Sequence, residues 1–254
     1  MIKGRSALVL GSTSGLGLAV AEGLADEGVR TAFSGRRREL ALRAAEGHDE
    51  ALGLELDVAD ADSMRRGIAQ VTDAFGPIDI LVLNSGGPPP GTAADLSPDE
   101  MAASLATLLL AQIRAVSLVL PGMRQRKWGR IVAIGSSGID QPIAGLARSN
   151  AARAGLAGYL KTLATEVAAD GVTVNMVLPG RIATGRVAEL DGARAAATGQ
   201  DLATVRERAV RAIPAGRYGT PEEFASAVVF LCSGRASYIT GTRLRVDGGM
   251  VTSH

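Results

Sequence analysis

The chain has one cysteine, two histidines, one tryptophan and few aromatic residues of any kind. A lone Cys232 allows no disulfide framework and no cysteine-built metal centre, and it fits a reducing, cytoplasmic setting. His48 and His254 show no metal-ligand spacing, so no metal site is expected. Aromatic residues are only 3% of 254 positions, so the 46% hydrophobic share has to build an Ala/Val/Leu/Gly interior. A dominant charge is missing too. Twenty-seven basic against 26 acidic residues leave +1, which offers no field for nucleic acid or an anionic membrane surface. The only lysines are Lys3, Lys127 and Lys161, so nearly all positive charge is arginine, and arginine counts alone carry little meaning. Long apolar runs are lacking as well. Gly11 cuts the run after Met1-Ile2-Lys3-Gly4-Arg5 short of a signal segment. The stretch 105–120 falls below the roughly 20 residues that a spanning helix needs, and it carries Gln112 and Arg114. It reads as a helix buried against a sheet or a partner subunit.

What is present is an alternation of short apolar, β-branched runs with amphipathic stretches of helical length, the pattern of βαβ units around a parallel sheet. Strands are expected at 6–10, 30–34, 51–56, 80–83, 131–134, 173–178 and 243–246. Among the helices, the first covers 18–27, the fourth ends around Pro121-Gly122, and the fifth runs about 148–169. No repeat or linker is visible, and Gly86-Gly87-Pro88-Pro89-Pro90-Gly91 reads as a rigid loop. The expectation is an α/β, Rossmann-type, doubly wound sheet of about seven strands with helices on both faces, in one domain over 1–254.

The segment Gly11-Ser12-Thr13-Ser14-Gly15-Leu16-Gly17 joins the first strand to the first helix. There Gly11 allows a tight turn, Gly15 lets the backbone approach a diphosphate, and Gly17 permits close helix–strand packing. The helix start offers free N–H groups and a positive dipole end to phosphates. Between a strand and a helix, such a turn points to a dinucleotide. The second strand ends in Gly35, where a carboxylate would select NAD, and continues into Arg36-Arg37-Arg38. Guanidinium pairs with phosphate in a fork, so NADP(H) is favoured over NAD(H), against a solvated helix start in an arginine-rich chain. Asp57-Val58, after the third strand, is placed to receive an adenine amino group or to cap a helix.

These blocks, together with Asp79-Ile80-Leu81-Val82-Leu83-Asn84-Ser85-Gly86, Gly129-Arg130-Ile131-Val132, Val174-Asn175-Met176-Val177-Leu178-Pro179-Gly180 and Asp247-Gly248-Gly249, run nearly end to end. In that order they resemble the short-chain dehydrogenase/reductase family, and within it bacterial 3-oxoacyl carrier-protein reductases. The resemblance implies a cofactor cleft lined by Gly11, Ser12, Ser14, Gly15, Leu16, Gly17, Arg36, Arg37, Asp57, Val58, Asn84 and Gly86. It further implies that Pro179, Gly180, Ile182 and Thr184 approach the nicotinamide. It also implies a substrate lid at about 184–214, a small-molecule or acyl substrate, and a homo-oligomer, tetramer or dimer, paired through the fourth and fifth helices. Within the lid, 201–213 carries Leu202, Val205, Ala209 and Ile213 along one side, which suits a lid or equally an interface helix. Arg181, Arg186 and Arg194 read as solvated arginines or as attractors of an anion.

The family's catalytic set is Asn, Ser, Tyr and Lys. By similarity Ser136 matches the serine that bonds the substrate oxygen. The tyrosine position holds Ser149, the lysine position holds Arg153, and the asparagine position, counted without gaps, holds Leu108. A phenol near pKa 10, lowered by a neighbouring lysine, can protonate a carbonyl oxygen as hydride arrives. A serine hydroxyl is a far weaker acid and stops a ring's length short. Arginine supplies charge and can hold ribose hydroxyls, including those of the cofactor, but it relays no proton. Loss of a general acid costs about 10²–10⁴ in rate. Tyr159 lies about 15 Å along the helix from Ser149 at 1.5 Å per residue, too far to substitute. Tyr218 and Tyr238 lie outside the expected strand ends. Asp140 is expected to act either as a desolvated acid or as a turn cap. Two readings follow. One is an NADP(H)-binding oxidoreductase that interconverts carbonyl and alcohol by a non-standard proton route. The other is a catalytically silent dinucleotide-binding sensor or regulatory subunit.

Overall fold

The strand-forming runs at 6–9, 30–35, 80–83, 129–134 and 172–179 have side chains buried on both faces, as a sheet covered by helices on each side requires. In the computed structural model, which describes residues 2–252, they and two more strands form one seven-stranded parallel sheet. The strands are β1 (Ser6–Val9), β2 (Arg30–Gly35), β3 (Ala51–Glu55), β4 (Ile80–Leu83), β5 (Gly129–Ile134), β6 (Val172–Pro179) and β7 (Arg243–Val246). Their order is β3-β2-β1-β4-β5-β6-β7. The direction of winding reverses between β1 and β4, which opens a crevice at the carboxyl ends of those two strands. Alternation along each strand sorts the core into two layers. Leu8, Leu10, Leu81 and Leu83 face one side with Met64 and Leu156, while Ala7, Val9, Ile80 and Val82 face the other with Val20 and Phe224.

The helices are α1 (Gly15–Asp26), α2 (Arg38–Ala45), α3 (Ala61–Phe75), α4 (Pro98–Leu105), α5 (Ala111–Gln125), α6 (Ala147–Val167), α7 (Gly185–Thr198), α8 (Leu202–Arg211) and α9 (Pro221–Cys232). Local sequence starts several of them. Ser97 with Glu100 and Thr220 with Glu223 form capping boxes ahead of α4 and α9, each with proline at the helix start. Such a cap contributes about 1 kcal/mol. Asp60, not Asp57, caps α3, accepting from the Asp62 N–H at 2.8 Å.

Three expectations are corrected. The first helix begins at Gly15, three residues earlier than 18, so Gly15 and Gly17 lie in its first turn. The fourth helix does not stop at Pro121-Gly122 but continues to Gln125. Pro121 and Ser117 both lie on the exposed side, where water can meet the carbonyl that lacks its donor. Third, α4 and α5 are joined through a π-helical turn, Ala106–Leu110, into one helix over Pro98–Gln125. By length and composition that helix could cross a membrane. Its Ala111, Ala115, Val116, Val119 and Met123 are buried, most of them in the layer formed with β4 and β5. His48 stacks on Phe33 with ring centroids 5.5 Å apart, and His254 lies outside the described residues.

Candidate active site

The turn after β1 is shaped by close approach. A Cβ on Gly17 would stand 2.3 Å from the Gly11 carbonyl oxygen and 2.7 Å from Asn84 Nδ2, so only glycine fits. Asn84, at the end of β4, donates from Nδ2 to that same carbonyl at 3.0 Å and ties the turn to the neighbouring strand. Ser14 precedes α1 with no side-chain cap, which leaves the first-turn N–H groups open to an anion. Thr184 caps α7, accepting from the Val187 N–H at 3.4 Å, and its side-chain carbons stand 3.9 Å from the point of a Gly15 Cβ. The start of α7 therefore meets the glycine turn, and a dinucleotide diphosphate suits the N–H groups between them.

Ser12 is the exception within the turn. Its hydroxyl donates to Val9 O at 2.9 Å and accepts from Ser34 N at 2.8 Å, while its own N–H donates to Ser34 O. Fully buried, Ser12 staples β1 to β2, and its expected place on the cofactor is corrected to a structural one. Ile182 is likewise turned into the core, 3% exposed beside Val177 and Phe224. At the end of β2, Arg36, Arg37 and Arg38 are exposed and make no ion pair among the described residues. Asp57 accepts the Ala59 N–H at 2.9 Å, a turn-closing contact that leaves its second carboxylate oxygen available.

The chemistry-bearing residues gather past the end of β5. Ser136 Oγ accepts the Gly138 N–H at 3.1 Å, which leaves its O–H to donate outward. Ser149 and Arg153 lie one turn apart on the buried face of α6, 9% and 8% exposed. Arg153 Nη1 donates to Ile134 O at 2.7 Å. Burial, and secondarily the charge of Arg186, lowers its pKa to about 10, so it remains a cation at neutral pH. Leu108 is 1% exposed and sits in the π-helical turn, where an asparagine was expected by similarity. Gln112 Nε2 donates to the Thr107 carbonyl freed by that turn, at 3.1 Å.

Asp140 serves neither of its expected uses. Its carboxylate lies 2.6 Å from Arg245 Nε and 3.1 Å from Arg243 Nη1, so it ties the loop after β5 to β7. Occupied by two guanidinium groups, it is removed as a proton donor. No tyrosine takes over. Tyr159 packs on the core, Tyr238 is fully exposed, and the Tyr218 hydroxyl donates to Asp191 Oδ2 at 2.8 Å. Asp191 is a residue that sequence reasoning missed. Fully buried in α7, it also pairs with Arg181, which is therefore not free for a ligand. Its setting in Ala188-Glu189-Leu190-Asp191-Gly192 reads as an ordinary polar helix face, with no signal of burial.

A glycine turn and an open helix start at the switch point of a parallel sheet, with an exposed arginine run after the adjoining strand β2, define a dinucleotide-binding protein of the Rossmann type. The chain belongs to the short-chain dehydrogenase/reductase family, and the family model described as Enoyl-(Acyl carrier protein) reductase matches residues 11–251. It is 38% identical over 254 residues to the 3-oxoacyl-[acyl-carrier-protein] reductase FabG of Vibrio cholerae, with 98% of each chain covered. L-sorbose reductase from Gluconobacter frateurii, complexed with NADPH and L-sorbose, matches with a TM-score of 0.92 at 33% identity, covering 99% of this chain and 98% of that one. YwfH, an NADPH-dependent reductase involved in bacilysin biosynthesis, matches with a TM-score of 0.93 at 27% identity, covering 98% and 99%. The family and fold expected from the motif blocks both stand, and with them the oxidoreductase class.

Proposed function

We propose that the protein is an NADP(H)-dependent oxidoreductase that interconverts a carbonyl and an alcohol without the tyrosine–lysine pair of its relatives. The observation that carries the NADP(H) reading is the end of β2, where three exposed arginines without carboxylate partners follow Gly35. They suit the dianionic 2′-phosphate. The named relatives are reductases, and two structural neighbours are described with NADPH, which supports the same choice. When bound, the reduced nicotinamide supplies hydride. This chain supplies position and charge. The Ser136 O–H, oriented by its contact with the Gly138 N–H, donates to the substrate oxygen. Arg153 adds a fixed positive charge at the end of β5, where negative charge builds on that oxygen, and water delivers the proton. Positioning alone can account for substantial acceleration.

A second reading, a dinucleotide-binding sensor or subunit with little turnover, is favoured by one observation: every tyrosine is engaged or located elsewhere. The test is paired. NADPH and NADH binding is measured first, then turnover on 3-oxoacyl and small-carbonyl substrates for the parent and for Leu108→Asn/Ser149→Tyr/Arg153→Lys. Parent turnover that falls in the triple variant supports the reassigned chemistry. Activity that arises only in the triple variant supports the silent site. Binding of neither dinucleotide removes both.

A further inference from the structure

Arg153 is a buried cation whose counter-ion is missing. Of the five N–H groups a guanidinium carries, one is engaged among the described residues, by Ile134 O. No carboxylate pairs with Arg153 among the described residues, and the charge it feels is the like charge of Arg186. Arg130, 3% exposed, shows what a satisfied buried arginine looks like in this fold. It bonds the carbonyls of Gly129, Gly171 and Ser233 and lies 4.5 Å from the Trp128 ring centroid. An ion taken out of water costs several kcal/mol unless an opposite charge or enough hydrogen bonds replace the water.

The diphosphate does not supply the missing charge. Its turn follows β1, and Arg153 contacts the end of β5, two strands away in the sheet. At about 4.8 Å per strand that is about 10 Å, beyond ion-pair reach. Nor can the neighbouring residue on α6 supply it, because the Ser149 hydroxyl does not ionise near neutral pH. Arg186, in the first turn of α7, is the second cation whose charge acts on Arg153. Its Nη2 donates to Pro88 O at 2.7 Å and its guanidinium lies 3.1–3.4 Å from the point of a Gly87 Cβ. It thus ties α7 to the Gly-Pro loop. Its one acidic neighbour, Glu189, is 3.5 Å away and mostly exposed.

We propose that the substrate is an oxo acid, a carbonyl compound whose own carboxylate is received by Arg153 and Arg186, in place of a neutral thioester. This deepens the NADP(H) oxidoreductase reading and rests on it. A carboxylate here does two things. It neutralises the charge that this chain leaves uncompensated, and it fixes the carbonyl beside Ser136.

The test is isothermal titration at low salt of the NADPH-loaded protein with acetoacetate and with acetoacetamide, which differ in charge and little in shape. Acetoacetate is expected to bind about tenfold tighter or more, the size of one charge-assisted hydrogen bond. In Arg153→Met the ratio is expected to fall to about one. In Arg186→Gln, a partly exposed site that keeps the test open if Arg153→Met does not fold, it is expected to fall about threefold. Equal affinity for the two probes, or a ratio unchanged in these variants, overturns the proposal while leaving NADPH binding intact. Failure of NADPH itself to bind removes the underlying reading, and this proposal with it.

Discussion

The Thr13 side-chain methyl stands 2.6 Å from the point where a Cβ on Gly35 would lie. The place from which a carboxylate would reach the cofactor ribose is therefore filled by the glycine turn itself. Gly35→Asp alone should strain the fold by about 1–3 kcal/mol and create no NADH site. Thr13→Ala/Gly35→Asp should recover most of that loss, because the shorter side chain leaves room. Urea denaturation of the two single variants and the double variant checks this, and additive losses would contradict the contact.

The arginines beside Gly35 carry the other half of the selectivity. Arg36→Ala/Arg37→Ala should weaken NADPH binding about 10–100-fold, the worth of one or two charge-assisted bonds. NADH affinity should change less than about twofold. Nucleotide titrations at fixed ionic strength read both, since exposed guanidinium–phosphate attraction is screened by salt. Equal weakening of both nucleotides would place the 2′-phosphate elsewhere.

Much of this was legible in the sequence because local and global requirements coincide. The turn could be read because Gly11 and Gly15 take left-handed backbone angles and no other residue at position 17 survives 2.3 Å from a carbonyl oxygen. The central strands could be read because both of their faces are buried. What stayed hidden depends on partners distant in sequence. Asp140 meets Arg243 and Arg245 more than 100 residues later, and Ser12 serves β2 through Ser34. The π-helical turn at Leu108 leaves no compositional mark in Ala106-Thr107-Leu108-Leu109-Leu110, where every residue is compatible with a regular helix.

Helix α7 is held by its buried Asp191 between Arg181 and the Tyr218 hydroxyl. Asp191→Ala should cost roughly 2–3 kcal/mol, less than the 3–5 of a fully buried pair, because Arg181 is one-quarter exposed. The loss should be local. Amide exchange in α7 should quicken on the order of 30–150-fold, with β4 and β5 unchanged. Tyr218→Phe should do the same by about 1 kcal/mol. Acceleration spread evenly through the core would show that Asp191 supports the whole fold instead.

The uncompensated charge of Arg153 also sets a pH dependence. Its pKa in the fold is lowered to about 10, so from there up to its ordinary range the unfolded chain binds the extra proton. Stability owed to this group therefore rises with pH across that window, and the penalty is complete below it. Cys232 opposes it. Burial pushes that thiol up to about 12, so stability owed to it is complete below the thiol's ordinary value and falls as pH rises towards 12. Only the difference between parent and Arg153→Met isolates the guanidinium. Without ligands, the methionine variant should melt higher than the parent at pH 8, because the several kcal/mol of a buried ion exceed the roughly 1 kcal/mol of its bond to Ile134. That margin should shrink as pH rises above about 10. With NADPH and acetoacetate present at pH 8 the order should reverse, since only the parent gains the carboxylate pair. Scanning calorimetry of both proteins under the two conditions decides it, and a variant that melts lower at pH 8 without ligand would show that Arg153 is compensated already.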